Sequence, residues 1–169
     1  MLYNQKIIVM RTGKPSILCA IFLPILLYGC VGTARISDLP KSSSDIDFSK
    51  YSEEINRKKT PFWTEETSNE YYIEKEKAVS DTALVGTIEA AMRQNGYAIK
   101  SNNADSTCVI GQRGMRANEW GSVIGVYYKI SPGKIQVYIH SKVTQDITGG
   151  ARNNLAKKVG VLIEKAIGE

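Results

Sequence analysis

Residues 121–143 read GSVIGVYYKISPGKIQVYIHSKV. Residues 121–130 and 134–143 are rich in Val, Ile and Tyr, the residue types that fit a pleated and largely buried surface. Between them Ser131-Pro132-Gly133-Lys134 places Pro at the second and Gly at the third position of a type II turn, so the stretch predicts an antiparallel hairpin. Side chains on a strand alternate between faces. One face of the hairpin therefore carries Ile124, Val126, Tyr128 and Ile130 beside Ile135, Val137 and Ile139, and it is expected to meet helices. The opposite face carries Tyr127, Lys129, Tyr138, His140 and Lys142.

Outward from the hairpin the signals continue in both directions. Asp81 is placed to cap a helix over residues 81–95, in which Leu84, Ile88, Ala91 and Met92 share one stripe and Asn95-Gly96 supplies a left-handed stop. Residues 97–100 and 107–113 read as strands separated by a polar turn at 101–106. Beyond the hairpin, Gly149-Gly150 precedes a second helical stripe of Leu155, Val159, Leu162, Ile163, Ala166 and Ile167, with Lys157, Lys158 and Lys165 off it. The order α-β-β-β-β-α predicts an α+β fold: an antiparallel sheet of about four strands with two helices packed on one face.

The whole chain has 169 residues and is 43% hydrophobic, enough for one modest domain over residues 80–169 but not for two well-packed ones. Its 22 Lys and Arg against 17 Asp and Glu leave a formal charge of +5, too little for a dedicated nucleic-acid binder. Residues 30–50 are polar, Ser-rich and aperiodic, and are expected to form a flexible tether. Residues 51–79 are charged but aromatic, with Pro61-Phe62-Trp63 and Tyr71-Tyr72-Ile73, and read as an arm that either docks on the domain or orders on a partner.

The first 29 residues hold Lys6, Arg11 and Lys14 and no acid, followed by an apolar run from Ser16 to Gly29. That run is shorter than the roughly 20 residues a membrane-spanning helix needs, and it has the length of a signal-peptide core. Met10 begins a compact basic segment of its own and is expected to be the true start. The run ends in Leu27-Tyr28-Gly29-Cys30, which resembles the lipobox of bacterial lipoproteins: an aliphatic residue, a small residue just before the cleavage point, then Cys. This resemblance implies acylation of Cys30, cleavage in front of it and a mature chain of residues 30–169. Three acyl chains exceed the two membrane signals that stable anchoring requires. The residue after Cys30 is Val31 rather than Asp, which in the resemblance implies an outer-membrane address facing the periplasm. An inner-membrane or secreted protein is the alternative. Cys19 leaves with the leader and Cys30 is consumed by lipid, so Cys108 has no intramolecular disulfide partner.

Motifs for chemistry are sparse. His140 is the only histidine, which removes multi-histidine metal sites, and no phosphate-binding, dinucleotide or nucleophile-elbow motif occurs. A thiolate pair of Cys108 and His140 is outweighed by the ordinary behaviour of Cys within an apolar strand, that of a small inert hydrophobe. Two candidate binding features remain. One is the hairpin face with Tyr127, Lys129, Tyr138, His140 and Lys142. The other is the loop holding Met115, Arg116 and Trp120, side chains enriched at interfaces, although Trp120 can equally fold back over the core edge. The sequence is thus read as a non-enzymatic, lipid-anchored envelope protein without metal or cofactor. Its expected partners are the bilayer, through Cys30, and another envelope protein; nucleic acid is not an expected partner. A binder of wall polymer or single-stranded nucleic acid, and a wall-acting enzyme, are the alternatives.

Overall fold

The computed structural model describes residues 34–57, 68–115, 121–143 and 155–169. They form an α+β domain around one antiparallel sheet. Its strands are β1 (Ser68–Lys75), β2 (Ala98–Asn103), β3 (Cys108–Arg113), β4 (Ser122–Ser131) and β5 (Lys134–Val143), arranged in the order β1-β5-β4-β3-β2. The predicted hairpin is β4–β5: Ser131 pairs with Lys134, and Gly133 takes the positive φ of 72° that the third position of a type II turn demands.

The sheet has five strands rather than four. The additional one, β1, comes from the expected arm and pairs along its whole length with β5. In isolation SNEYYIEK shows only three consecutive apolar residues between charges, which is too short a pattern to reveal a strand. Within the sheet those three, Tyr71, Tyr72 and Ile73, are buried on alternating faces. β1 and β2 occupy opposite edges, and the chain passes between them through α1 (Asp81–Gln94).

Leu84, Ile88, Ala91 and Met92 are the buried residues of α1, as its periodicity predicts. Its cap is Ser80 and not Asp81: the Ser80 side chain accepts from Ala83 N at 3.3 Å, while Asp81 lies in the first turn, where the helix dipole favours an anion. At the other end Tyr97 N donates to Met92 O (3.0 Å) and Gly96 N to Arg93 O (2.9 Å), with Gly96 at φ 81°. This is a Schellman stop, reinforced by burial of both Tyr97 and Met92 in the same cluster.

The second helix, α2 (Leu155–Gly168), packs on the same sheet face as α1. Its buried stripe is rotated slightly from the expected one. Ala156 and Gly160 face inward, Leu162 is only partly buried and Ala166 is exposed. Gly160 explains the rotation, because a Cβ there would lie 2.2 Å from the Tyr71 ring: the helix backbone rests directly on β1. The Gly149-Gly150 opening lies outside the described residues. Among these residues no helix is long and apolar enough to cross a membrane.

Residues 34–57 are packed: for residues 34–50 this is contrary to the expected tether, whereas residues 51–57, the start of the expected arm, dock on the domain. They make tight 3-10 turns at Ile36–Asp38, Ser43–Asp45, Phe48–Lys50 and Glu53–Arg57. Short polar side chains close the first three of these turns. Asp38 accepts from Arg35 N (2.9 Å), Asp45 from Lys41 N (2.9 Å) and Ser42 N (3.1 Å), and Asp47 from Ser49 N (3.2 Å). The backbone groups are thereby satisfied without regular structure. Leu39 and Phe48 then enter a second apolar cluster on the sheet face away from the helices.

Candidate binding face

Cys108, Tyr127, Tyr138 and Tyr72 are successive cross-strand partners on β3, β4, β5 and β1, so they form one row across the second face of the sheet. A solvated face would tolerate such a row poorly. Residues 34–57 run along it as a belt. The Cys108 thiol donates to Lys41 O (3.4 Å), the Tyr127 hydroxyl donates to Pro40 O (2.7 Å), and the Tyr51 ring stacks on Tyr138 with centroids 4.1 Å apart. At the β1 edge, Asn56 Nδ2 donates to Tyr72 O (2.9 Å) while Tyr72 N donates to Asn56 Oδ1 (2.8 Å).

The predicted open face is therefore corrected. Tyr127 is 0% and Tyr138 1% exposed, both beneath the belt, while His140 and Lys142 are half-buried and Lys129 is exposed. Lys129 and Gln136 line a cleft of about 500 Å³ whose other walls are belt residues, among them Ser43, Asp47 and Phe48. Gly125 makes room for the row: a Cβ there would fall 2.4 Å from the Tyr127 hydroxyl.

The electrostatics suit a buried seam and not an activated group. Burial first, then the hydrogen-bonded Glu70 carboxylate and neighbouring Tyr51, hold the Tyr138 hydroxyl far above its ordinary pKa. Burial above all, with the neighbouring Cys108 and Asp45 side chains adding to it, raises Tyr127. Tyr72 is pushed up to about 12 by burial and by its hydrogen bond to Glu74 (2.8 Å). All three remain neutral phenols at physiological pH.

His140 is held by Tyr138, whose hydroxyl lies 3.1 Å from Nδ1. That hydroxyl donates its proton to Glu70, so the contact is satisfied when Nδ1 carries the imidazole proton. Nε2 is then a bare acceptor, buried and without a hydrogen-bond partner among the described residues. Burial lowers the His140 pKa and the Lys142 charge adds to this, while Glu70 opposes both. The structure gives the Cys108 thiol to Lys41 and Ser106, and the His140 imidazole to Tyr138. Among the described residues no three His, Cys, Asp or Glu side chains converge as a metal site.

In the second candidate, Met115 lies two residues beyond the end of β3 and is 72% exposed, while Arg116 and Trp120 lie outside the described residues, as does Cys30. Sequence reasoning missed the belt residues Leu39, Pro40, Phe48, Tyr51 and Asn56. The available signal was the second face itself, where Cys108, Ile110, Val123, Tyr127 and Tyr138 together are too apolar to be left in water.

No family model and no curated protein matches the chain. Among solved structures it is similar to a hypothetical protein from Helicobacter pylori at 6% identity, covering 59% of this chain and 82% of that one, with a TM-score of 0.27. A likeness so slight carries no argument about fold or function.

Proposed function

We propose that this is a non-enzymatic envelope lipoprotein, anchored through acylated Cys30 at the outer membrane and facing the periplasm, which contacts an envelope protein through the loop beginning at Met115. The observation that carries the choice of surface is a contrast in exposure. The tyrosine row is spent on binding the chain's own belt, whereas Met115 stands 72% exposed just beyond the end of β3. Methionine adapts its shape to a partner, and Met, Arg and Trp are enriched where proteins meet. The basic leader, the short apolar run and the lipobox-like site before Cys30 support the anchor. Recognition of wall polymer or single-stranded nucleic acid by Tyr127 and Tyr138 would first require the belt to leave.

The test has two parts. Radiolabelled palmitate should enter the wild-type chain and not Cys30→Ser. A photo-crosslinking amino acid at position 115 should then capture one envelope protein in saturable fashion, whereas the same probe at Val161 should not. Equal capture at both positions would overturn the assignment of the loop.

A further inference from the structure

We infer that the folded domain itself rests on the lipid surface, with the turn Ile36–Asp38 in the headgroup layer; this rests on the reading of Cys30 as the acylated residue. The length of chain left between anchor and domain carries the inference. Ala34 already packs against the second apolar cluster, and Leu39 is buried in it. Only four Cα steps separate Cys30 from Ala34. A fully extended chain spans at most about 3.6 Å per residue, so Ala34 lies within about 14 Å of the acylated residue. A free tether of about 20 residues would have had a root-mean-square reach of about 25 Å. The belt uses up that length by lying on the sheet.

The side chains at this point suit an interface between water and lipid. Among the described residues Ile36 is one of four large apolar side chains left exposed, at 39%, and its neighbour Arg35 is an exposed base. An apolar side chain beside a snorkelling base is the pairing that interfacial segments use. The belt carries Arg35, Lys41, Lys50 and Arg57 against Asp38, Asp45, Asp47, Glu53 and Glu54. Its net charge is close to neutral, so the contact depends on the anchor and on Ile36 rather than on anionic lipid. The helices pack on the opposite sheet face, which puts α2, with its exposed Val161, in the layer farther from the membrane.

The experiment uses the acylated full chain purified from a bacterium and reconstituted into vesicles of phosphatidylethanolamine and phosphatidylglycerol. A fluorophore is attached to Ile36→Cys or, separately, to Val161→Cys, each in a Cys108→Ala background, and quenching by headgroup-nitroxide lipid is measured. Arg35→Cys reads the same turn should the first variant misfold. Quenching several-fold stronger at position 36 than at 161 is expected, with little change when phosphatidylglycerol is omitted. It should be lost when a flexible Gly-Ser insertion of about 20 residues follows Gly32. Equal quenching at the two positions in vesicle-bound protein, or quenching at 36 that survives the insertion, overturns the inference while leaving lipidation intact. Protein that incorporates no palmitate and does not float with vesicles overturns the lipidation reading itself, and the inference with it.

Discussion

The Asn56 side-chain amide makes both hydrogen bonds to the outward-facing backbone of Tyr72, donating to its carbonyl at 2.9 Å and accepting from its N–H at 2.8 Å. Asn56 thus acts as a one-residue strand on the edge of β1, and it blunts an edge that would otherwise template pairing with another chain. Asn56→Ala leaves both groups without their partner. The expected cost is about 1–3 kcal/mol by urea denaturation, with increased self-association on size exclusion. Asn56→Asp keeps the acceptor and loses the donor, so it should fall between wild type and Ala. Identical midpoints for all three proteins would show that Asn56 is ornamental.

The tyrosine row should behave as core. Tyr127→Ala with Tyr138→Ala removes two fully buried aromatic side chains beneath the belt. Each truncation is worth about 3–5 kcal/mol, against a total stability of about 5–15 kcal/mol. The double variant is expected to be unfolded by near-UV circular dichroism. Retained native signal with an unchanged melting temperature would mean that the face is open after all.

Phe48→Asp tests the belt from its own side. The change puts a carboxylate among buried apolar side chains, and the belt should lift to avoid burying it. Expected outcomes are dye binding by the exposed sheet face and rapid proteolytic cleavage within residues 40–50, with α1 and α2 retained. Cleavage there at the wild-type rate would contradict the packing.

At Gly160 two effects of opposite sign compete. Helix propensity alone favours Ala over Gly by about 1 kcal/mol. The Cβ, however, would lie 2.2 Å from the Tyr71 ring, and overpacking of that kind costs about 1–3 kcal/mol. Gly160→Ala is therefore expected to destabilise, and pairing it with Tyr71→Leu should recover part of the loss. A more stable single variant would show that α2 has room to shift.

His140 makes stability depend on pH in a stated direction. Burial, helped by Lys142 and opposed by Glu70, lowers its pKa in the folded protein. The unfolded chain therefore takes up a proton first, near the ordinary value of about 6.5. The contribution is fully present above that pH and is lost as pH falls through the lower folded value. His140→Gln should flatten the decline in melting temperature between neutral and mildly acidic pH. It should leave untouched the further decline at lower pH from Glu164 and Glu74, whose pKa values are lowered chiefly by Lys75 and Lys134. A wild-type profile without slope in the first window would remove His140 from this role.

Local pattern alone was enough for the parts of this protein whose residues determine their own conformation. Ser131-Pro132-Gly133-Lys134 dictates a turn, Leu84, Ile88, Ala91 and Met92 recur at the helical period, and Asn95-Gly96 ends that helix; the hairpin and α1 follow from neighbours within a few positions. The tertiary structure decided β1, the rotation of α2 and the fate of the second face. Each depends on a surface assembled from residues far apart in the chain: Tyr71 against Gly160, Asn56 against Tyr72, Pro40 against Tyr127. The belt was the least legible because its first three turns are closed by Ser and Asp side chains, which satisfy the backbone with no period at all. Leu39, Phe48 and Tyr51 therefore acquire a role only once the sheet offers them an apolar row to cover.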